Sequence, residues 1–192
     1  MNPIEHVLEF MIEIEKLKDV YRKTRPVGLA RYENTAEHSW HVCLSALMLK
    51  DYSNEPINID RVIKMLLIHD LGEIDAGDTI IYASETKELK EKEEAGIKRV
   101  LNILPEGEAD QYLLLWREFE LGESIDAKFA KAIDRVPPLL HNLNGNGHSW
   151  KDNNVPKEKV FDLNSRIAKG STALWDVLKG KLDKAVVDGI LK

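Results

Sequence analysis

Leu66-Leu67-Ile68-His69-Asp70-Leu71-Gly72-Glu73 is the stretch whose reading decides the fold. An apolar run ends in an adjacent His-Asp pair, and a Glu follows one helical turn later. Val62, Ile63, Met65, Leu66, Leu67 and Ile68 are apolar nearly all round the helical wheel, so the spacing predicts a buried helix. Burying a His and an Asp together at its end is costly unless something pairs them. A metal ion would do so. A hydrogen-bonded core His beside a capping Asp would do so as well. Glu73 lies i+4 from His69 and i+3 from Asp70, so all three share a face.

Upstream, Asn34-Thr35-Ala36-Glu37 is a capping box that opens a second helix. From His38 to Leu49 that helix is apolar on most faces and is expected to be buried. His38, His41 and Ser45 fall on one polar stripe of it. A His pair on one stripe of a buried helix is a ligand candidate. Between the two helices, Asn54 to Asp60 reads as a turn region, with Asp60 the expected cap of the helix that carries His69. That helix should end near residues 72–76, before a loop at Gly77-Asp78-Thr79. Asp75 and Asp78 add carboxylates nearby, and Asp75 is expected to be solvated. Downstream, Ser124 can cap a helix whose inner stripe holds Phe129, Ala130, Ile133, Val136 and Asp134, with Pro137-Pro138 interrupting it.

The remaining periodicity predicts helices over residues 4–17, 85–101, 110–121, 156–168 and 172–190, the last capped by Ser171. Residues 142–154 read as a Gly/Asn-rich loop. No strand-like alternation competes, so the expectation is an all-α bundle of about eight helices, one domain over residues 1–192, without repeats or linkers. Lys16, Lys18, Arg22, Lys23, Arg25 and Arg31 crowd the irregular stretch around 18–33, which is either an anion site or a solvated loop.

Composition sets the outer limits. Apolar residues make up 43% and charged residues 31% of 192, as in a soluble globular protein. A net charge of −6 argues against a nucleic-acid polymer as partner but not against a small anion held in a local basic pocket. The single cysteine, Cys43, excludes internal disulfides and a Cys-rich zinc site, and its apolar neighbours make it a core thiol. Apolar runs are too short for a membrane span and no signal peptide is visible, so a cytosolic protein is expected.

His38, His69, Asp70 and Asp134 together offer two imidazoles and two carboxylates. That set suits one divalent ion (Co²⁺, Mn²⁺, Zn²⁺, Fe²⁺ or Mg²⁺) with positions left for water and substrate. A fifth ligand would crowd that ion, so His41 is expected to pack beside it. The order His … His-Asp … Asp in an all-α chain resembles the HD-domain phosphohydrolases. The block from Arg31 to Trp40, then His69-Asp70-Leu71-Gly72-Glu73 with Gly77-Asp78-Thr79, then Asp134-Arg135 and Gly147-His148-Ser149-Trp150, resembles the bacterial 5′-deoxynucleotidases and their HD-containing relatives over about residues 4–180.

The resemblance implies His38, His69, Asp70 and Asp134 as metal ligands and Glu73 as catalytic acid/base. It implies Asp78 as a holder of water or the sugar 3′-hydroxyl, and Arg22 as the residue that orients the phosphate. Lys23 stands where the family has a Trp, and Thr79 adjoins Asp78 on the substrate side. No His lies between Asp70 and Asp134, which favours one metal over two and argues against a cyclic-dinucleotide phosphodiesterase. The implied activity is dephosphorylation of (deoxy)nucleoside 5′-monophosphates. Alternatives are hydrolysis of a nucleotide pyrophosphate such as guanosine tetraphosphate, and a non-catalytic nucleotide-binding module, against which Glu73 weighs. The resemblance also implies a homodimer. The C-terminal helix, with Leu174, Val177, Leu178, Leu182, Val186 and Val187, would be an interface or the outer layer of the core.

Overall fold

Local signals start most of the helices. In the computed structural model, which describes residues 2–83 and 86–192, Asn2 and Asn34 close reciprocal capping boxes on α1 (Pro3–Ile14) and α2 (Thr35–Leu49). Asn58 caps α3 (Ile59–Ile68) through the Arg61 N–H, and Asp60, expected in that role, sits inside the first turn instead. Two residues earlier is the better place because a cap must keep a non-helical backbone. A short α4 (Glu73–Ala76) follows, then α5 (Lys87–Leu101), capped by Thr86, and α6 (Glu108–Leu121). The expected start of α5 at Glu85 lies outside the described residues. Ser124 caps α7 (Ile125–Asp134), and α8 (Val136–Asn144) carries its prolines in the first turn, where the missing N–H costs nothing. After α9 (His148–Asp152) and α10 (Lys157–Ser165), Ser171 caps α11 (Thr172–Val187).

The Gly/Asn-rich stretch is more ordered than its composition suggests. Asn146 and Gly147 turn the chain at φ 55° and 64°. The Asn142 side-chain oxygen accepts the Ser149 and Trp150 N–H groups at 3.0 and 3.3 Å, which starts α9. Trp150 is buried, and its indole N–H donates to the Tyr82 hydroxyl at 3.2 Å.

Buried side chains form two apolar groups. One is built on Val42, Met65, Leu66, Ile97, Val100, Phe119, Phe129 and Ile133 from α2, α3, α5, α6 and α7. The other is built on Leu139, Trp150, Val160, Ile167, Leu178 and Leu182 from the C-terminal elements. Helix α7 faces both, with Ile133 in the first and Ala132 in the second, so its last residue, Asp134, emerges at their seam. Cys43 is buried as expected.

Three helices are less buried than their apolar wheels predict. Helix α1 has no buried residue. Leu67 on α3 is 51% exposed, and on α2 Trp40 and Met48 are 64% and 67% exposed, with Leu44 and Leu47 beside them. Each helix packs one face and leaves another to solvent, and an apolar residue does not by itself compel burial. Helix α11 buries Leu178, Leu182 and Ala185 while Val177 and Val187 face outward. No helix among the described residues is long and apolar enough to cross a membrane.

Candidate metal centre

Helix α3 stops at Ile68, and residues 69–72 turn before α4, so His69 and Asp70 stand at a helix end rather than within a helix. The turn is held from both sides. The Trp116 indole N–H donates to the His69 carbonyl at 3.0 Å, and the Phe119 ring meets the imidazole edge-on at 5.2 Å between centroids. Gly72 is packed so closely on α5 that a Cβ there would lie 2.6 Å from the Glu93 carbonyl oxygen, and one on Gly96 would lie 2.7 Å from that of Gly72. Two glycines thus fix where Glu73 begins.

Three candidate ligand atoms converge, from His38, His69 and Asp134, and an Asp70 oxygen lies beside them. His38 Nε2 lies 2.9 Å from Asp134 Oδ1 and 4.0 Å from Asp70 Oδ2. His69 Nε2 lies 3.1 Å from Asp70 Oδ2 and 3.3 Å from Asp134 Oδ1. His38, His69 and Asp134 each offer an atom within 4.8 Å of the others. The His69 Nδ1–H donates to the Leu66 carbonyl at 2.7 Å, which turns Nε2 to the two carboxylates, and against the effect of burial their charges raise the affinity of the ring for a proton. Two buried carboxylates facing imidazole nitrogens call for positive charge, which protons on the rings or a cation between the groups would supply. The residues therefore fit a divalent ion, with distances that suit ligands on a sphere of about 2.0–2.2 Å radius. Despite burial, His69 and Arg22 hold the Asp70 carboxyl down at about 2, and the hydrogen bonds and charges of His38 and His69 hold Asp134 well below the usual carboxylate range. Both are therefore anionic and ready to ligate.

Glu73 has the opposite character. Burial, followed by the charges of Asp70 and Asp78, pushes its carboxyl well above the usual range, while Oε2 accepts a 2.9 Å hydrogen bond from Thr35. Asp78 is raised as well, chiefly by burial, and its side chain is 4% exposed. Arg22 ties these acids together. Its guanidinium donates to Asp70 at 2.9 Å and lies 3.5 Å from Asp78, 4.0 Å from Glu73 and 3.7 Å from Glu33. It reaches them because residues 20–35 fold back on themselves. Tyr21 and Asn34 form an isolated antiparallel bridge, and the Arg22 N–H donates to the Glu33 carbonyl at 2.8 Å.

The structure thus brings together His38, His69, Asp70, Asp134, Glu73, Asp78 and Arg22. The rest of the basic cluster stays out. Lys16 pairs with Glu13, Lys18 with Glu15 and Arg31 with Glu37, while Arg25 lies over the Tyr32 ring. Exposed Lys23 lines a small neighbouring cleft with Thr79, Tyr82 and Asn142. A larger cleft of about 160 Å³, walled by Trp116, Phe119 and Lys131, opens directly on His69, Asp70, Glu73 and Asp134, and Ile81 and Arg135 line both clefts. Asp75 is exposed, as expected, and is held by Arg99 at 2.6 Å. His41 lies outside that group, near Glu33 and His141. Residue types alone gave no signal for Glu33, Thr35 or Trp116, although the first two sit inside the motif block that singles out His38.

Comparison with known proteins agrees with this geometry. The sequence profile of the HD domain family matches residues 14–175. A crystal structure of a "predicted metal-dependent phosphohydrolase" from Magnetospirillum magnetotacticum MS-1 is 41% identical and superposes with a TM-score of 0.93, covering 100% of this chain and 99% of the other. The PH0347 protein from Pyrococcus horikoshii OT3, at 20% identity and a TM-score of 0.66 over 92% of this chain and 98% of that one, shares the fold. Among curated proteins, the 5′-deoxynucleotidase HDDC2 of Homo sapiens is 30% identical over 136 residues, which is 70% of this chain and 65% of the human protein. The chain therefore spans somewhat less than two thirds of that relative's length. The 5′-deoxynucleotidase YBR242W of Saccharomyces cerevisiae is 27% identical over 142 residues, 70% of this chain and 58% of that protein. With a matching family profile over most of its length and a near-complete structural counterpart, the chain belongs to the HD-domain phosphohydrolase family.

Proposed function

We propose that the protein hydrolyses (deoxy)nucleoside 5′-monophosphates to nucleoside and inorganic phosphate, with one divalent ion held by His38, His69, Asp70 and Asp134. The observation that carries this reading is the convergence of the His38 and His69 Nε2 atoms on the Asp134 carboxylate, with Asp70 beside them. The ion supplies Lewis-acid activation of water and phosphate there. In the hydrolysis, a water oxygen bonds to phosphorus, the bond from phosphorus to the 5′-oxygen breaks, and that oxygen gains a proton. Glu73 handles the proton. Its raised carboxyl titrates closer to neutrality, where an acid that must both give and take is most effective. Arg22 holds phosphate oxygens and balances the charge that grows on them. Asp78 and Thr79 lie on the same side as Lys23, in the cleft that takes the sugar and base. The similarity to curated 5′-deoxynucleotidases supports the monophosphate over a pyrophosphate.

The direct test is product analysis with Mn²⁺ or Co²⁺. Deoxyadenosine or thymidine monophosphate should yield inorganic phosphate. Release of pyrophosphate from guanosine tetraphosphate, with no turnover of monophosphates, would replace this reading with the other HD reaction. Binding without turnover of either would leave a nucleotide sensor. The homodimer implied by the family resemblance belongs to the same proposal, and the exposed apolar faces of α1 and α2 offer surface for it.

A further inference from the structure

A second buried group lies behind His38. The two ring nitrogens of His38 have different surroundings. Nε2 faces Asp134 and Asp70. Nδ1 points the other way, is fully buried and has no hydrogen-bond partner. Glu33 Oε2 faces it from 3.6 Å and is likewise buried without a partner. A donor-capable nitrogen and a carboxylate oxygen, both sealed from water and both unsatisfied, stand just outside hydrogen-bond length of each other. Leaving either orphaned carries the desolvation cost of a buried polar group. A shift of roughly 0.7 Å would bring them to the usual 2.9 Å.

From this pairing we infer that Glu33 is a positioning residue, which takes the Nδ1 proton of His38 in a hydrogen bond and so commits Nε2 to the metal. The inference rests on the metal centre proposed above. The Leu66 carbonyl does the corresponding task for His69 at 2.7 Å. A carboxylate in that place fixes the tautomer and also raises the basicity of the ligand nitrogen. Glu33 is well placed to do so. Its backbone N–H donates to the Thr24 carbonyl at 2.9 Å and its carbonyl accepts from Arg22 at 2.8 Å, so two bonds pin the residue one position before the cap of α2. The same oxygen lies 3.7 Å from Arg22 Nε. One carboxylate thereby orients a metal ligand and anchors the arginine that faces the substrate.

Glu33, His41 and His141 also offer three atoms within 4.8 Å of one another, a spacing that a second cation would fit. Two observations favour the positioning role. The Arg22 guanidinium already brings positive charge to Glu33 Oε2, and His141 Nδ1 lies 3.3 Å from the Thr24 hydroxyl, within hydrogen-bonding reach.

The test is Mn²⁺ titration by calorimetry, with ions counted by elemental analysis. Wild type should bind one ion per chain. Glu33→Gln keeps the size but loses the charge, and should bind Mn²⁺ about 10–100-fold more weakly, with Glu33→Asp recovering part of the loss. Unchanged affinity in a folded Glu33→Gln, or two ions per wild-type chain, would overturn the inference. Should that variant fail to fold, ¹⁵N chemical shifts of the His38 ring in the Zn²⁺-loaded wild type decide, with a protonated Nδ1 expected and a bare Nδ1 contradicting. A wild type that binds no ion would instead bring down the proposed metal centre and this inference together.

Discussion

Two histidine groups flank the same helix turn, and they differ in what completes them. His38, His69 and Asp134, with Asp70 beside them, surround a point where two imidazole Nε2 atoms and anionic oxygens face one another. Glu33, His41 and His141 surround a point that a guanidinium, a hydroxyl and the back of His38 already serve. Similar residue types and similar spacing therefore give one group that calls for a cation and one that supports it. The difference lies in the neighbours, chiefly in whether carboxylates or a guanidinium and a hydroxyl face the rings.

Substitutions on each side sharpen the contrast. On the reacting side, Glu73→Gln keeps the hydrogen bond from Thr35 but removes the titrating group. Ion content should be unchanged while kcat falls by about 10²–10⁴, as read by phosphate release under saturating Mn²⁺. Near-normal kcat would move the proton role, with Asp78 the first candidate. Arg22→Ala should cost less, because it removes charge-assisted contacts of about 1.5–3 kcal/mol, or roughly 10–100-fold in kcat/KM. KM should rise, and kcat should fall too where the contact tightens in the transition state. A lone kcat effect with unaltered KM would argue that Arg22 serves the carboxylates rather than the substrate.

The supporting side should respond mainly in stability. Burial pushes His141 down to about 4, from an ordinary value near 6.5. Between those values the unfolded chain takes up a proton that the folded chain refuses. Stability therefore falls as the pH drops through this window, by up to about 1.4 kcal/mol per pH unit from this residue. His141→Asn should flatten that slope in denaturant titrations between pH 6.5 and pH 4, with turnover at neutral pH altered less than threefold, about 0.7 kcal/mol. An unchanged slope would mean that the imidazole is protonated in the fold.

How far the chain reveals itself depends on the range of the signal. Caps at Asn34, Ser124 and Ser171 and the break before Pro137 are local, and the structure has them where the residues say. The seven candidate site residues that the structure brings together were legible as residue types on separate helices and loops, and the family resemblance implied their roles. Three kinds of feature were not legible. Which side of an apolar helix faces water is a property of its neighbours, so exposure of Trp40 and Leu67 could not be read from the wheel. The order in residues 142–154 depends on one side chain, Asn142, bonding two N–H groups seven and eight positions away. The function of Glu33 depends on a backbone bridge that sets it opposite Arg22, and no periodicity announces an isolated bridge. The close Gly72–Gly96 approach is equally silent, since neither residue needs an unusual backbone angle.

The comparison between the two groups is tested most directly by counting ions per chain in Mn²⁺-loaded protein, for wild type, Asp134→Ala and His141→Asn. The account predicts one ion in wild type, loss of that ion in Asp134→Ala, and one retained in His141→Asn. Full occupancy in Asp134→Ala, or loss in His141→Asn, would place the ion in the other group and contradict the account.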